Sequence, residues 1–158
     1  MSRHQSDSAV QREAEARILM RVSDHVGKEL IPRTVTFESG ATVEVDGADP
    51  DESVLVEIFA RHGALKGGQQ KKVSQDALKL ITLSRSRPSA RLILAFADHQ
   101  TARYATRGTW VSQALATWGV EVLVIELDQA VRDDIRDAQV RQVMVNSAAL
   151  PPSGIEPD

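Results

Sequence analysis

Two six-residue apolar runs, 54–59 (VLVEIF) and 92–97 (LILAFA), constrain this chain more than any other feature. Neither alternates apolar with polar, so each reads as a strand buried on both faces. A sheet built from such strands needs helices on both sides. The sequence supplies them. Val10, Ala14, Ile18, Val22 and Val26 recur every four residues, with Leu19 and Leu30 widening the stripe. Ser6 or Ser8 is expected to cap this helix and Pro32 to stop it. Val73, Ala77, Leu80 and Ile81 mark a second helix over 69–84. A third spans 109–118, with Trp110, Ala114 and Trp118 read as its core face and Gly119 as its cap. Val131, Ile135 and Ala138 mark the last.

Between the first helix and residue 54 the pattern changes to a hairpin. Val35 and Phe37 alternate with threonines, Glu38-Ser39-Gly40 turns the chain, and 41–46 returns. Residues 47–53 (GADPDES) read as a loop, 84–91 (SRSRPSAR) as a basic loop, and 120–127 as a final strand. The expected order is α-β-β-β-α-β-α-β-α, an α/β fold with a mixed five-stranded sheet flanked by helices. The 158 residues suit one domain, placed at 1–146, with a disordered tail at 147–158. No apolar run approaches the roughly 18 residues of a membrane span, and the polar start does not resemble a secretory signal, so a cytoplasmic protein is expected. The absence of cysteine excludes disulfides, thiolate nucleophiles and cysteine–zinc sites.

Charge is segregated along the chain. Residues 61–107 carry ten Lys/Arg against two Asp, between flanks that are both acidic; the net charge of −3 hides this. A basic middle argues for an anionic partner.

Two acidic residues sit where apolar ones are expected, and a third closes a strand. Glu57 interrupts a doubly buried strand, Glu15 lies within the apolar stripe of the first helix, and Asp46 ends the return strand. Glu29 and His25 share that stripe, Glu29 close enough to the helix end to reach water. If the strands bearing Asp46 and Glu57 pair, their carboxylates face one another within about 5.5 Å. Such carboxylates repel unless a cation lies between them, and hard oxygen ligands suit Mg²⁺ (or Mn²⁺). Glu44 and Glu15 are further candidates.

This arrangement resembles the core of the PD-(D/E)XK, or restriction-endonuclease-like, nuclease superfamily over roughly residues 10–127. The resemblance implies metal binding by Asp46 and Glu57, assistance from the first-helix Glu15, and a role for Gln70 (or Gln69) on the second helix. It also implies a lysine two residues after the Glu. That position is Phe59, and Val45 replaces the proline before the Asp. Some members supply the lysine from elsewhere, which makes Lys72 the expected catalytic lysine, with Lys71 and Lys66 as other candidates. Strand periodicity places the Phe59 ring on the face of Glu57.

The implied activity is Mg²⁺-dependent cleavage of phosphodiester bonds, with DNA the expected substrate and a homodimer compatible with the small size. Lys66, Lys71, Arg85, Arg87, Arg91, Arg103 and Arg107 are the expected nucleic-acid contacts. The alternative is an inactive module of the same fold that binds nucleic acid or a protein. A third reading, a small-molecule enzyme, rests on Asp98 and His99 at a strand end.

Overall fold

The computed structural model describes residues 3–148. Its elements are α1 (Arg3–Val26), β1 (Ile31–Thr36), β2 (Thr42–Ala48), β3 (Val54–Phe59), α2 (Gly67–Ser84), β4 (Arg91–Phe96), α3 (His99–Thr106), α4 (Trp110–Thr117), β5 (Val120–Val124) and α5 (Gln129–Ala148). The five strands form one mixed sheet in chain order, antiparallel through β3 and parallel from β3 to β5. The α/β class and the five-stranded sheet agree with the sequence reading.

The differences are local. α3 is an additional helix where a strand-end loop was expected; Asp98 starts it, its side chain accepting from the Thr101 amide at 2.6 Å. α1 begins at Arg3, so Ser6 and Ser8 lie inside it, and it ends before Gly27, whose φ is 70°. Pro32 instead sits in β1. α5 continues through Ser147 and Ala148, which corrects the start of the expected tail; residues 149–158 lie outside the described ones. Among the described residues, no helix is long and apolar enough to cross a membrane.

Two cores sandwich the sheet. Leu55, Phe59, Leu92, Leu94 and Phe96 point to one face and pack on Val73, Leu80 and Leu83 of α2, Ala102 and Ala105 of α3, and Val111 and Leu115 of α4. Val54, Val56, Ile58, Ile93 and Ala95 point to the other and meet Ala14, Ile18 and Val22 of α1 and Ile135 of α5. The right-handed crossover rule explains this division. Because β3, β4 and β5 step across the sheet in one direction, both connections must cover the same face, which leaves the other to α1 and α5. All six residues of β3 are buried, Glu57 included.

The β1–β2 register slips between Ile31 and Arg33: Asp46 and Gly47 together oppose Pro32. Pro32 has no N–H to donate, so a bulge here sacrifices little hydrogen bonding. β2 is packed tightly at this point. A methyl group on Gly47 would lie 2.3 Å from Leu19 Cδ1, and Leu19 is itself buried. Gly47→Ala is therefore expected to cost about 1–3 kcal/mol through overpacking, measured by urea denaturation.

Candidate active site

The bulge determines where Asp46 points. β2 and β3 pair only at Gly47–Val56 and Ala48–Leu55, and the strands then separate. The amide of Ile58, which would otherwise seek a carbonyl on β2, donates to Asp46 Oδ2 at 2.8 Å. Asp46 is thus a mid-strand residue that props open the gap between β2 and β3, not the end of the strand. The turn-opening aspartate is Asp49. Its burial opposes ionisation, but hydrogen bonds from Ser53, the Val54 amide and Lys28 hold its pKa down at about 2.

On the α1 side of this gap lies a groove of about 790 Å³ bounded by α1, β1 and β2, and both Asp46 and Glu15 line it. Glu15 is half-buried and accepts from Gln11 Nε2 at 3.1 Å. Burial raises its pKa, the Gln11 bond opposes the rise, and the Asp46 charge adds to it. The sequence placed Glu15 correctly on the inner side of its helix. His25 and Glu29 are both exposed, and Glu29 follows the end of α1.

On the α2 side stands Glu57, 1% exposed. Burial first, and then the Asp46 charge, push its pKa up to about 8 despite a neighbouring lysine, with Asp76 adding to the rise. That lysine is Lys79: its Nζ lies 2.6 Å from Glu57 Oε1, 3.5 Å from Asp76 and 3.1 Å from the Glu44 carbonyl. The Glu57 contact is one of charge more than direction, since Oε1 has no well-aligned donor.

Lys72 lies one helical turn from Asp76 and contacts it at 2.5 Å. Its Nζ stands 5.2 Å from the centroid of the Phe59 ring, within cation–π range. Burial opposes its charge, yet Asp76, with Asp46 and Glu57 behind it, raises its pKa. Phe59 shares the face of Glu57, as strand periodicity predicts, and its ring stacks on that of Phe96 with centroids 4.9 Å apart.

Glu15 and Asp46 therefore line the groove on the α1 side, and the expected pairing of Asp46 and Glu57 across neighbouring strands does not form. Glu57 and Lys72 lie on the α2 side with Asp76 and Lys79, which the sequence reading missed. A signal for both existed. Taking Val73 as zero and about 100° per residue, Lys72, Asp76 and Lys79 fall at −100°, −60° and −120°, one polar stripe beside the apolar one. The lysine against Glu57 is Lys79, not Lys66, Lys71 or Lys72; Lys66 and Lys71 are exposed. Gln70 is occupied elsewhere, donating to the Leu65 carbonyl at 3.0 Å, and Gln69 Oε1 accepts from the Lys66 amide. Both glutamines secure the start of α2.

The basic stretch is also divided. Arg87 is paired with Glu52 in the β2–β3 turn, and Arg91 with Glu121 on β5 at 3.1 Å. Both lie toward the N-terminal ends of the parallel strands, away from Phe59, so they tie the fold together instead of facing the cleft. Arg85, Arg103 and Arg107 are exposed without an acidic partner among the described residues. Asp98 does not partner His99; it contacts His62 Nδ1 at 2.8 Å and accepts from the Gly63 amide. His99 is exposed, 3.7 Å from Glu126, so Asp98 and His99 face different partners. Trp110 and Trp118 are exposed, contrary to the core role expected of them.

Among the described residues, no three His, Asp or Glu side chains are grouped to enclose a metal ion. Glu57 Oε1 has no aligned hydrogen-bond donor but lies 2.6 Å from the Lys79 ammonium, and Asp46 commits Oδ2 to the Ile58 amide. Compared with known proteins, the chain matches no family model, no curated protein and no solved structure.

Proposed function

We propose that the cleft between β2 and β3 is the catalytic centre of a restriction-endonuclease-like, metal-dependent nuclease that cleaves phosphodiester bonds in DNA. The observation that carries this reading is Glu57: a carboxylate buried in a strand, its pKa pushed to about 8, beside Asp46. A carboxylate whose ionisation is opposed by a neighbouring carboxylate is relieved by a shared cation. Oxygen donors of this kind suit Mg²⁺ or Mn²⁺, and such ions are commonly held by one or two carboxylates plus substrate phosphates. Asp46 and Glu57 are the residues to hold it, with Glu15 approaching from the groove.

When bound, the ion supplies an acidified water and neutralises charge developing on the phosphate. Lys79 keeps the Glu57 carboxylate oriented and favours its ionised form. Lys72, steadied by Asp76 and the Phe59 ring, presents an ammonium to a phosphate oxygen at the mouth of the cleft. Together these lysines take over from the one absent at Phe59.

One observation favours a second reading, the inactive module. Lys79 already neutralises Glu57 at 2.6 Å, which lessens the need for a metal. Incubation of supercoiled plasmid with Mg²⁺, Mn²⁺ or EDTA separates the two. Nicking that requires metal and falls at least about 10³-fold in Asp46→Asn, which keeps an acceptor for the Ile58 amide and with it the melting temperature, is the expected result. Metal-independent retention of DNA without cleavage by the wild type would establish the inactive module instead.

A further inference from the structure

The sheet sorts the charges of this chain. Residues 66–120 carry nine Lys/Arg against two Asp, and their helices α2, α3 and α4 all cover one face. Both aspartates turn inward, Asp76 to Lys72 and Lys79, Asp98 to His62. With Lys72, Lys79, Arg87 and Arg91 paired, Lys66, Lys71, Arg85, Arg103 and Arg107 remain exposed in this stretch without an acidic partner among the described residues.

Within it, α3 and α4 form a distinct surface. Residues 99–120 contain no carboxylate, and Arg103 and Arg107 are exposed. Both tryptophans of the chain lie here: Trp110, opening α4, is 74% exposed, and Trp118, just past its end, is 56% exposed. α4 buries Val111 and Leu115 and has no need of either indole for its packing. Of the carboxylates that follow in the chain, Glu121 pairs with Arg91 and Glu126 lies 3.7 Å from His99.

Exposed indoles alone suit a protein partner as well as a nucleic acid. Exposed indoles and guanidinium groups in one stretch of chain without a carboxylate suit a polyanion whose faces can stack. A duplex offers the charge but keeps its bases paired inside; a single strand offers both. We propose that the α3–α4 surface, through Arg103, Arg107, Trp110 and Trp118, binds single-stranded nucleic acid. The site is separate from the carboxylate cleft and does not depend on cleavage.

Because the only tryptophans are at the surface in question, their emission reports on it directly. The full chain is titrated in EDTA with a 20-nucleotide oligothymidylate and with a duplex of equal length. The expected result is quenching by the single strand, at lower concentration than by the duplex. Trp110→Ala should weaken binding about 5- to 100-fold at an unchanged melting temperature, and Trp110→Phe should restore most of it. The double variant Arg103→Gln/Arg107→Gln should make the slope of log K against log salt shallower by about 1.4, two phosphate contacts at about 0.7 each. Asp46→Asn, which keeps an acceptor for the Ile58 amide, should bind like the wild type in EDTA, which separates failure here from failure of the nuclease reading. Unquenched emission at low salt, equal binding of duplex and single strand, or concentration-dependent self-association that quenches the indoles without oligonucleotide would overturn the proposal.

Discussion

Lys79→Met is expected to destabilise the protein by about 1 kcal/mol at pH 6, with the cost growing above pH 8 by up to about 1.4 kcal/mol per pH unit. Glu57 is 1% exposed and Lys79 is the cation against it. Above pH 8 the wild-type carboxyl is ionised, whereas in the variant, without its cation and with Asp46 and Asp76 still nearby, it holds its proton to higher pH. At pH 6 Glu57 is protonated, so the variant loses little more than the polar contact. Denaturant melts of wild type and variant at both pH values measure this. An equal cost at the two pH values would refute the assignment of Glu57 as the titrating partner. Methionine preserves the aliphatic length that packs over the cleft, so the comparison isolates the charge.

The wild type itself should lose about 3–5 kcal/mol of stability between pH 4.5 and 9 through Glu57 alone, since each pH unit separating its folded and unfolded pKa values is worth about 1.4 kcal/mol. The sign follows from the direction in which burial moves the group. The folded-state pKa of about 8 lies above the ordinary 4.5, so between these values the folded protein binds a proton that the unfolded chain does not. Stability is therefore full below pH 4.5 and falls as pH rises through 8. Glu57→Gln removes the titrating group. The difference between the two proteins, measured by urea melts at pH 5, 7 and 9, should widen with pH in favour of the variant. Mg²⁺ should stabilise the wild type more at pH 9 than at pH 6, because a carboxylate ligand must shed its proton first. A wild type and variant with parallel pH profiles would show that Glu57 is not held protonated.

The features legible in the sequence are those governed by periodicity. The doubly apolar runs at 54–59 and 92–97 announced buried strands. The four-residue stripe placed Glu15 on the inner side of α1, and the two-residue period set Glu57 and Phe59 on one face. Periodicity also misled at α4, where Trp110 and Trp118 looked like a core stripe. Val111 and Leu115 fill the space beneath that helix, and eight residues are too few for the spacing to define a face.

What depends on contacts distant in the chain required the tertiary structure. Asp46 looked like the end of a strand, because nothing local reveals that β2 bulges opposite Pro32 and parts from β3. Lys79 looked like one lysine among several; its approach to Glu57, 22 residues earlier, depends on how α2 crosses the sheet. Arg87 and Arg91 looked available for phosphate until Glu52 and Glu121 were brought beside them. The basic block between acidic flanks was already present in the order of residues. Whether it would disperse or gather was decided by crossover handedness, which placed α2, α3 and α4 together on one face. Local sequence sets which way a side chain points along its own element, through backbone geometry. Its partners are set by packing, a property of the whole chain.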